Sequence, residues 1–285
     1  MIRREAKLLM NKRVSVKIFR TILALFLLGL VLFPFAWIVL TSFRSLGEAM
    51  TVPPRILPTK WTVEAYKKLF GPRNFISYIL NSIIVAGASV ALGTLIGGLT
   101  AYGLSRFRFR GKLQTNVFIL ICLSFPGPLL VVPFFQIMVN VGLFDKISGL
   151  ILAYLTFNLP FITWTLKTYF DTIPKEIDEA ASIDGCSPFL IFWKIVNPLA
   201  RPGYVATGIY AFLNSWNEYM FALSLTKSEA SRTIPVALGS LVGEFMTDWP
   251  VIMAGAVIAS VPVIIAFFFM QKQLIQGLTG GALKG

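Results

Sequence analysis

The sequence lacks several residue types on which enzymes and metalloproteins depend. It contains no histidine, which removes the commonest metal ligand, the usual proton shuttle and the histidine of a serine-protease triad. Its two cysteines, Cys122 and Cys186, give neither a metal-ligand spacing nor a disulfide framework. The Gly-x-x-x-x-Gly-Lys-Ser/Thr sequence of a P-loop is absent as well. We therefore expect no catalytic group, no metal and no resident cofactor on this chain.

Charged residues are scarce, and this scarcity indicates the class of protein. Only 14% of the 285 residues are charged and 56% are hydrophobic, whereas soluble domains carry about a quarter charged residues. In water such a chain would expose too much apolar surface. The net charge of +13 comes from short basic stretches between apolar runs, which membrane topology explains better than nucleic-acid binding does. The composition predicts an all-α, multi-pass protein of the cell membrane, in contact with the lipid bilayer and not with nucleic acid.

Six apolar runs are each long enough to cross a hydrocarbon core of about 30 Å as a helix. They cover approximately residues 21–43, 76–104, 113–139, 149–170, 204–226 and 250–270. Dense Lys and Arg clusters precede the first run and follow the second. Because such clusters mark the cytoplasmic side, both termini are predicted to be cytoplasmic. The chain then divides into a basic N-terminus (1–20), a six-span transmembrane domain (21–270) and a C-terminal tail (271–285).

Three of these runs contain residues that suggest special packing. Gly93 and Gly97 in the second run make a small-x-x-x-small step that lets another helix approach closely. The third run is interrupted by Phe-Pro-Gly-Pro at 125–128, where regular helical hydrogen bonding must fail. The fifth carries an unusual set of polar groups near its middle, namely Asn214, Trp216, Asn217 and Glu218. Because a carboxylate in hydrocarbon costs at least a few kcal/mol, Glu218 should face the bundle interior, a cavity or a partner.

The segment 171–202 is a long polar interruption whose residues are typical of ordered helices. Thr172 is suited to begin a helix, acidic residues follow it, and Gly185 is typical of a helix end. A second short helix is expected to begin at Ser187 and to end at the Asn-Pro pair of 197–198, because proline cannot donate a backbone hydrogen bond. The segment is thus expected to form a helix, a glycine hinge and a second helix, with one apolar side. This arrangement predicts a docking element for a partner.

This docking element resembles the EAA motif of ABC-transporter permeases. Glu-Ala-Ala at 179–181 is followed at the motif's spacing by Gly185 and Ile195, and Asn197 stands where the family places Leu. In that family the loop is cytoplasmic, lies in a cleft of the ATPase subunit and passes ATP-driven motion to the membrane helices. The resemblance implies that the residues coupling this chain to the ATPase are Glu179, Ala180, Ala181, Asp184 and Gly185.

Three later stretches narrow the resemblance to carbohydrate-uptake permeases of the maltose-transporter type. They are SWNEYMFALSLT at 215–226, TIPVAL at 233–238 and QGLTGGALKG at 276–285. The resemblance implies the ABC importer type I permease fold, six spans with a cytoplasmic coupling helix, and a heterodimer with a second permease. It also implies two ATP-binding subunits that hold ATP and Mg²⁺, and an extracytoplasmic sugar-binding protein.

The same resemblance assigns roles to the tail and to the loop at 227–249. The loop would probe the sugar cleft of the binding protein, and the tail would reach between the ATPase subunits through Gln276, Gly277 and Leu278. Sugar sites combine aromatic faces with hydrogen-bonding groups. The substrate path is therefore expected to include Asn158, Trp216, Asn217 and Glu218. The alternative is that Asn217 and Glu218 join the two permeases, since the second permease can hold the sugar alone.

Other functions fit the sequence less well. An ion-driven secondary transporter would also show six spans with broken helices, yet it would need no ATPase-docking loop. An intramembrane enzyme would need a nucleophile, a metal or paired acids, and Glu218 is the one acid found near the middle of a run. A glycerol-phosphate permease would favour Arg or Lys within the spans. We expect a permease subunit of an ATP-driven, binding-protein-dependent importer for a maltose- or oligosaccharide-like sugar, which is not itself an enzyme.

Overall fold

The structure is a computed structural model that describes residues 2–71, 73–243 and 247–282, with side chains from 16 to 269 within those ranges. The described residues form helices and turns and contain no strand. In chain order the α-helices are α1 Ile2–Ser42, α2 Leu46–Ala49, α3 Glu64–Phe70, α4 Phe75–Arg106, α5 Lys112–Ser124, α6 Val131–Asn140, α7 Ile147–Asp171, α8 Glu176–Ile183, α9 Pro188–Ile191, α10 Asn197–Leu199, α11 Arg201–Trp216, α12 Met220–Leu225, α13 Ile234–Gly239 and α14 Trp249–Ala282. A 3₁₀ turn covers Gly127–Leu130 and a π turn covers Phe192–Val196.

Fewer helices are long enough to cross a bilayer than the six runs predicted. Within the described ranges there are four, namely Val16–Ser42 of α1, α4, α7 and Trp249–Phe269 of α14. A fifth crossing exists if α5 and the segment Gly127–Asn140 count as one span, although the two are bent by 96° at the predicted Pro-Gly-Pro break. The predicted run 204–226 is not one helix, because α11 ends at Trp216 and α12 begins at Met220.

The chain forms two compact units. The first comprises Met1–Arg73 and Leu241–Ile258, the second Asn74–Ser240 and Ala259–Gly285. In the first unit, the apolar part of α1 buries none of its most hydrophobic window. Such a helix, apolar all round, suits a lipid environment. Residues 2–20 of the segment predicted as the basic N-terminus belong to α1, which begins at Ile2.

The second unit is organised around the close contact of α4 with α7. A Cβ atom added to Gly93 would lie 2.7 Å from Ile162 Cδ1, and one added to Gly97 would lie 2.8 Å from Ile162 Cγ2. Ile162 is fully buried at this contact. The predicted small-x-x-x-small step is therefore confirmed, because the two glycines form the surface on which Ile162 packs. Helix α11 approaches in the same way, with the ring of Tyr169 lying against Gly203.

Hydrogen bonds hold the loop after α12, at 227–232, to other segments of this unit. Asp145 has a left-handed φ of 58°, and its carboxylate accepts hydrogen bonds from the backbone N–H of Lys227 at 2.7 Å, from that of Ser228 at 2.9 Å and from the Ser231 hydroxyl. Asn81 of α4 donates to the carbonyl oxygens of residues 230 and 232, both at 2.9 Å. The first part of the loop predicted at 227–249 is thus tied to two other segments of the unit.

Replacing Gly97 by alanine should destabilise the contact of α4 with α7, because its Cβ would overlap Ile162. Overpacking of this kind costs about 1–3 kcal/mol. Gly87 is the matched control, since a Cβ there meets nothing within 4 Å and alanine favours a helix by about 1 kcal/mol over glycine. The thermal unfolding midpoint in mild detergent should fall for Gly97→Ala and stay level or rise for Gly87→Ala. Equal midpoints for the two variants would contradict the packing described here.

The loop held by Asp145 should resist acid. Burial raises the pKa of Asp145, but the hydrogen bonds from Ser231, Lys227 and Ser228 outweigh it and hold the pKa well below its usual value. The stability that this carboxylate contributes is present above the pKa of an unfolded aspartate, about 3.9, and is lost only as pH falls toward the folded-state pKa. Protection factors for amide hydrogen exchange at 227–231, which correct for the intrinsic effect of pH, should stay constant in the wild type from neutral pH down to about 5.

Asp145→Asn should speed that exchange throughout the same pH range, because hydrogen bonds to a charged acceptor are about twice as strong as neutral ones. Glu229→Gln, an exposed change in the same loop, is the control and should leave the exchange rates unaltered. Slow exchange in the Asp145→Asn protein would show that the carboxylate does not hold the loop.

Candidate functional site

The segment 171–202 is ordered, and its first helix begins later than the sequence predicts. The Thr172 hydroxyl donates to the carbonyl oxygen of Tyr169 at 2.7 Å, so this side chain ends α7. The predicted helix start at Thr172 is wrong for that reason: its hydroxyl bonds backwards into the preceding turn instead of forwards to free N–H groups. Helix α8 begins at Glu176, and its first turn carries the three acidic residues that favour the positive end of a helix dipole.

Gly185 ends α8 as predicted. Its φ is +85°, a left-handed conformation that glycine adopts without steric cost. Its N–H donates to Ser182 O at 3.1 Å, and the N–H of Cys186 donates to Ala181 O at 3.0 Å. These two hydrogen bonds are those of the Schellman motif, which satisfies the last carbonyl groups of a helix. The hinge therefore has one defined geometry, and that geometry requires glycine.

The second short helix begins as predicted and ends later than predicted. Ser187 accepts a hydrogen bond from the Leu190 N–H at 3.3 Å and so caps α9. The Asn-Pro pair at 197–198 does not end the helix, which continues through the π turn into α10. The N–H of Asn197 donates to Phe192 O, five residues back. After this wider turn, Pro198 lies in the first turn of α10, where a missing N–H is tolerated.

An ion pair that the sequence analysis missed holds α8 against the end of α4. One Nη of Arg106 lies 3.1 Å from Asp178 Oδ2, and the two side chains are only 6% and 16% exposed. The Tyr102 hydroxyl and the Arg106 Nε donate to Asp178 Oδ1 at 3.0 and 3.2 Å. The guanidinium also donates to the carbonyl oxygens of Phe170 and Ile173, both at 3.1 Å. We call these contacts the Arg106 clamp, and they connect α4, α7 and α8 at one point.

The two sides of the docking element differ in what they expose. Ala181 is buried with Ile191 and Phe192 in the core, so it faces the chain itself. The other predicted coupling residues, Glu179, Ala180, Asp184 and Gly185, are exposed. Ile183 is 87% exposed and Phe189 is 68% exposed. Beside the Arg106 clamp lies a cavity of about 380 Å³ that Lys175, Glu179 and Ser182 help to line.

Asn158 lies in a buried network of hydrogen bonds. It is 3% exposed, its amide nitrogen donates to the Ser215 hydroxyl at 2.8 Å, and its carbonyl oxygen accepts from the Asn214 amide at 3.1 Å. Ser215 also lies 3.3 Å from the hydroxyl of Ser89 on α4. The network joins α4, α7 and α11. Asn214, one of the polar residues noted in the fifth run but not among those expected to line the substrate path, is its one exposed member.

Glu218 explains why the predicted fifth span is broken. Its carboxylate accepts hydrogen bonds from the backbone N–H of Phe221 at 2.8 Å and of Ala222 at 3.0 Å, and from the Tyr154 hydroxyl at 2.8 Å. It therefore satisfies N–H groups at the start of α12, a new helix that requires the chain to leave α11 first. The expectation that Glu218 turns toward the interior is met by Tyr154 on α7.

The remaining predicted site residues lie apart. Trp216 is buried and donates its indole N–H to Ala259 O at 3.1 Å. Asn217 is exposed, and its amide donates to Leu213 O at 2.8 Å. Gln276, Gly277 and Leu278 fall within α14, but their side chains lie outside the described part. Among the described residues no group of acidic or cysteine side chains is arranged to hold a metal ion.

Comparison with known proteins identifies the family. Residues 93–280 match the family described as "Binding-protein-dependent transport system inner membrane component". The chain belongs to this family. It is 38% identical over 278 residues to the inner membrane ABC transporter permease protein YcjP of Escherichia coli, covering 96% of this chain and 99% of the relative. It is 34% identical over 279 residues to the trehalose/maltose transport system permease protein MalG of Thermococcus litoralis, covering 97% and 100%.

A solved structure supports the fold. One chain of a bacterial ABC transporter involved in the import of the acidic polysaccharide alginate superposes with a TM-score of 0.77 and 24% identity, covering 92% of this chain and 97% of that one. The predicted all-α fold of an ABC importer type I permease is thereby confirmed. The protein is a multi-pass inner-membrane permease and a transport subunit, not an enzyme. Permeases of this family work with a binding protein and ATPase subunits.

The Arg106 clamp should determine whether α8 stays in place. Arg106→Gln leaves the Asp178 carboxylate without its charged partner, a loss that costs at most about 3–5 kcal/mol when the pair is buried. We expect amide hydrogen exchange at 176–183 to become faster by orders of magnitude, while Arg108→Gln, an exposed change in the same basic cluster, leaves it unchanged. Arg106→Gln combined with Asp178→Asn should restore much of the protection. Equal exchange in the Arg106 and Arg108 variants would contradict a holding role.

Proposed function

We propose that this permease is one half of the membrane path of an ATP-driven, binding-protein-dependent importer for a maltose- or oligosaccharide-like sugar, and that it couples to the ATPase through segment 171–202. The observation that carries the proposal is the docking element itself. It is clamped to the membrane helices on one side, and on the other it presents large apolar side chains to the surroundings. The relative from Thermococcus litoralis, described as a trehalose/maltose permease, supports the sugar class.

The exposed side of the docking element supports binding to another protein. Ile183 and Phe189 are large, apolar and mostly exposed, and exposed apolar groups clustered on one segment commonly mark a protein-binding surface. Trp193 packs edge-on beside Phe189, with 6.1 Å between the ring centroids. Exposed Glu179 and Asp184 add negative charge, which suits a cleft with basic groups. Ala180 and Gly185 leave space for close approach, and buried Ala181 holds the element to the permease.

The partners proposed are those of a complete importer. A second permease would complete the path, two ATP-binding subunits would hold ATP and Mg²⁺, and an extracytoplasmic binding protein would deliver the sugar. The C-terminal contact with the ATPase subunits would use Gln276, Gly277 and Leu278.

We further propose that the chain crosses the membrane six times, with both termini in the cytoplasm. In this topology α11 and α12, each too short to cross alone, together form one crossing. The basic clusters at 1–20 and 105–113 support this orientation.

The proposed substrate path runs past the polar end of α11. Asn217 and Asn214 are exposed there, where amides facing lipid would be costly and amides facing a watery path would not. The other three predicted path residues would position the path and would not contact the sugar themselves. Asn158 orients the Asn214 amide, Trp216 fixes the helix through its indole N–H, and Glu218 turns the chain into α12. Amide and aromatic groups are those that sugar sites commonly use.

Transport would follow from rigid connections between these parts. When ATP closes the two ATPase subunits, α8 moves with the cleft that holds it. The Arg106 clamp attaches α8 to α4 and to the end of α7. The three helices would therefore move together, and the motion of α8 would reach the membrane helices. Hydrolysis belongs to the ATPase, and this chain contributes the path and the mechanical connection.

The test is purification of the tagged permease from its own membranes in mild detergent. The wild type should bring with it an ATPase and a second permease. Ile183→Ser combined with Phe189→Ser should lose the ATPase and keep the second permease, because only the docking surface has changed. Leu199→Ser, an exposed apolar residue at the other end of the segment, is the control and should keep both. Recovery of the ATPase with the double variant would count against docking through this surface, and recovery of the wild-type chain alone would count against the importer.

A further inference from the structure

We infer that residues 43–66, the chain directly after α1, form an anchor in the membrane interface, with the apolar side chains of 50–61 inserted among the lipids. We call this segment the interface anchor. The inference rests on the membrane location of the chain and not on the proposed sugar transport or ATPase docking.

The apolar part of α1 is long enough to reach both sides of a bilayer core. After Lys17 and Arg20 it covers residues 21–42, and its most hydrophobic window is entirely unburied. At 1.5 Å per residue this stretch measures about 33 Å, against about 30 Å for the hydrocarbon. The end of α1 at Ser42 therefore lies at the level of the lipid headgroups. Trp37, five residues before the end at Ser42, is the kind of residue that concentrates there.

The interface anchor folds back to the level of Trp37. The guanidinium of Arg44 lies 4.8 Å from the centre of the Trp37 ring, and Arg44 is 2% exposed. One of its nitrogens donates to the carbonyl oxygen of Ile56 at 2.8 Å and to that of Arg55. The backbone at 55–56 is thus held beside a ring that belongs to the last turns of α1. It cannot project away from the membrane surface.

Further contacts give the interface anchor a fixed shape. The Glu48 carboxylate accepts hydrogen bonds from the backbone N–H of Thr59 at 2.6 Å and from its hydroxyl at 2.8 Å. The Ser42 hydroxyl lies 2.9 Å from the Tyr66 hydroxyl. The Phe43 ring packs on Tyr66, with centroids 5.3 Å apart. Because both ends of the segment are tied to the end of α1, the direction of its exposed side chains is a property of the fold.

Many of the exposed side chains of this segment are large and apolar, and they would be unfavourable in water as a group. Between 50 and 61, five large apolar side chains are more than half exposed: Met50, Val52, Ile56, Leu57 and Trp61. Lys60 and Arg55 lie among them and are exposed as well. Aromatic and aliphatic groups interspersed with basic ones are typical of segments that sit in the headgroup region, where the basic groups meet phosphate. Lipid is the proposed occupant because the surface continues directly from α1, whose most hydrophobic window is entirely unburied and long enough to cross a bilayer.

The test uses nitroxide labels on the complete transporter in proteoliposomes. Cys122 and Cys186 are first replaced by alanine, and a single cysteine is introduced by Ile56→Cys or Leu57→Cys. Leu28→Cys on the exposed face of α1 serves as the lipid reference, and Glu229→Cys serves as the water reference. Co-elution of each labelled chain with the other subunits establishes that it is assembled.

For each label we compare its collision rate with oxygen, which dissolves in lipid, and its collision rate with a water-soluble nickel chelate. At positions 56 and 57 the ratio of oxygen to chelate collisions should be high, as it is at position 28. Adding the binding protein should not change this ratio. A ratio like that at position 229 would place the segment in water and overturn the inference. Protection from both reagents would overturn it too, since it would mean that a protein subunit covers the surface.

Discussion

The contact of Ile162 with Gly93 and Gly97 is the constraint on which the second unit depends. In lipid there is little hydrophobic force to draw helices together, so close packing and hydrogen bonds must do it. The two glycines let α7 come near enough to α4 for the shorter polar contacts to form. The Asn158 network crosses this contact, and the Arg106 clamp stands at its end. A change in the distance between these helices would disturb all of these contacts together.

Features determined by neighbouring residues could be predicted from the sequence. The end of α8 at Gly185 and the cap of α9 at Ser187 each depend on a few residues of the same turn. The Pro-Gly-Pro break was predictable for the same reason, since proline acts on its own turn. Thr172 shows the limit of such local reasoning. Its hydroxyl could bond either to the preceding turn or to the N–H groups of the following turn. Because α7 extends to Asp171, the hydroxyl donates to the preceding turn, to the carbonyl oxygen of Tyr169.

Features that depend on distant residues could not be predicted. Arg106 and Asp178 are 72 residues apart in sequence, and a basic residue after a membrane span has a sufficient explanation in topology alone. The same holds for Tyr154 and Glu218, 64 residues apart. Glu218 was recognised as unusual, but nothing local showed that its carboxylate would start a helix. The role proposed for the docking element comes from the family resemblance, while the three-dimensional structure shows what holds the element in place.

The 96° bend between α5 and the helical segment after it has a consequence for how the protein is made. Helix α5 has 13 residues, about 20 Å of helix against a core of about 30 Å. It is too short to be integrated into a bilayer alone, and it packs against α7, which is synthesised later. The bent pair therefore depends, for its position in the bilayer, on contacts with a helix that comes later in the chain.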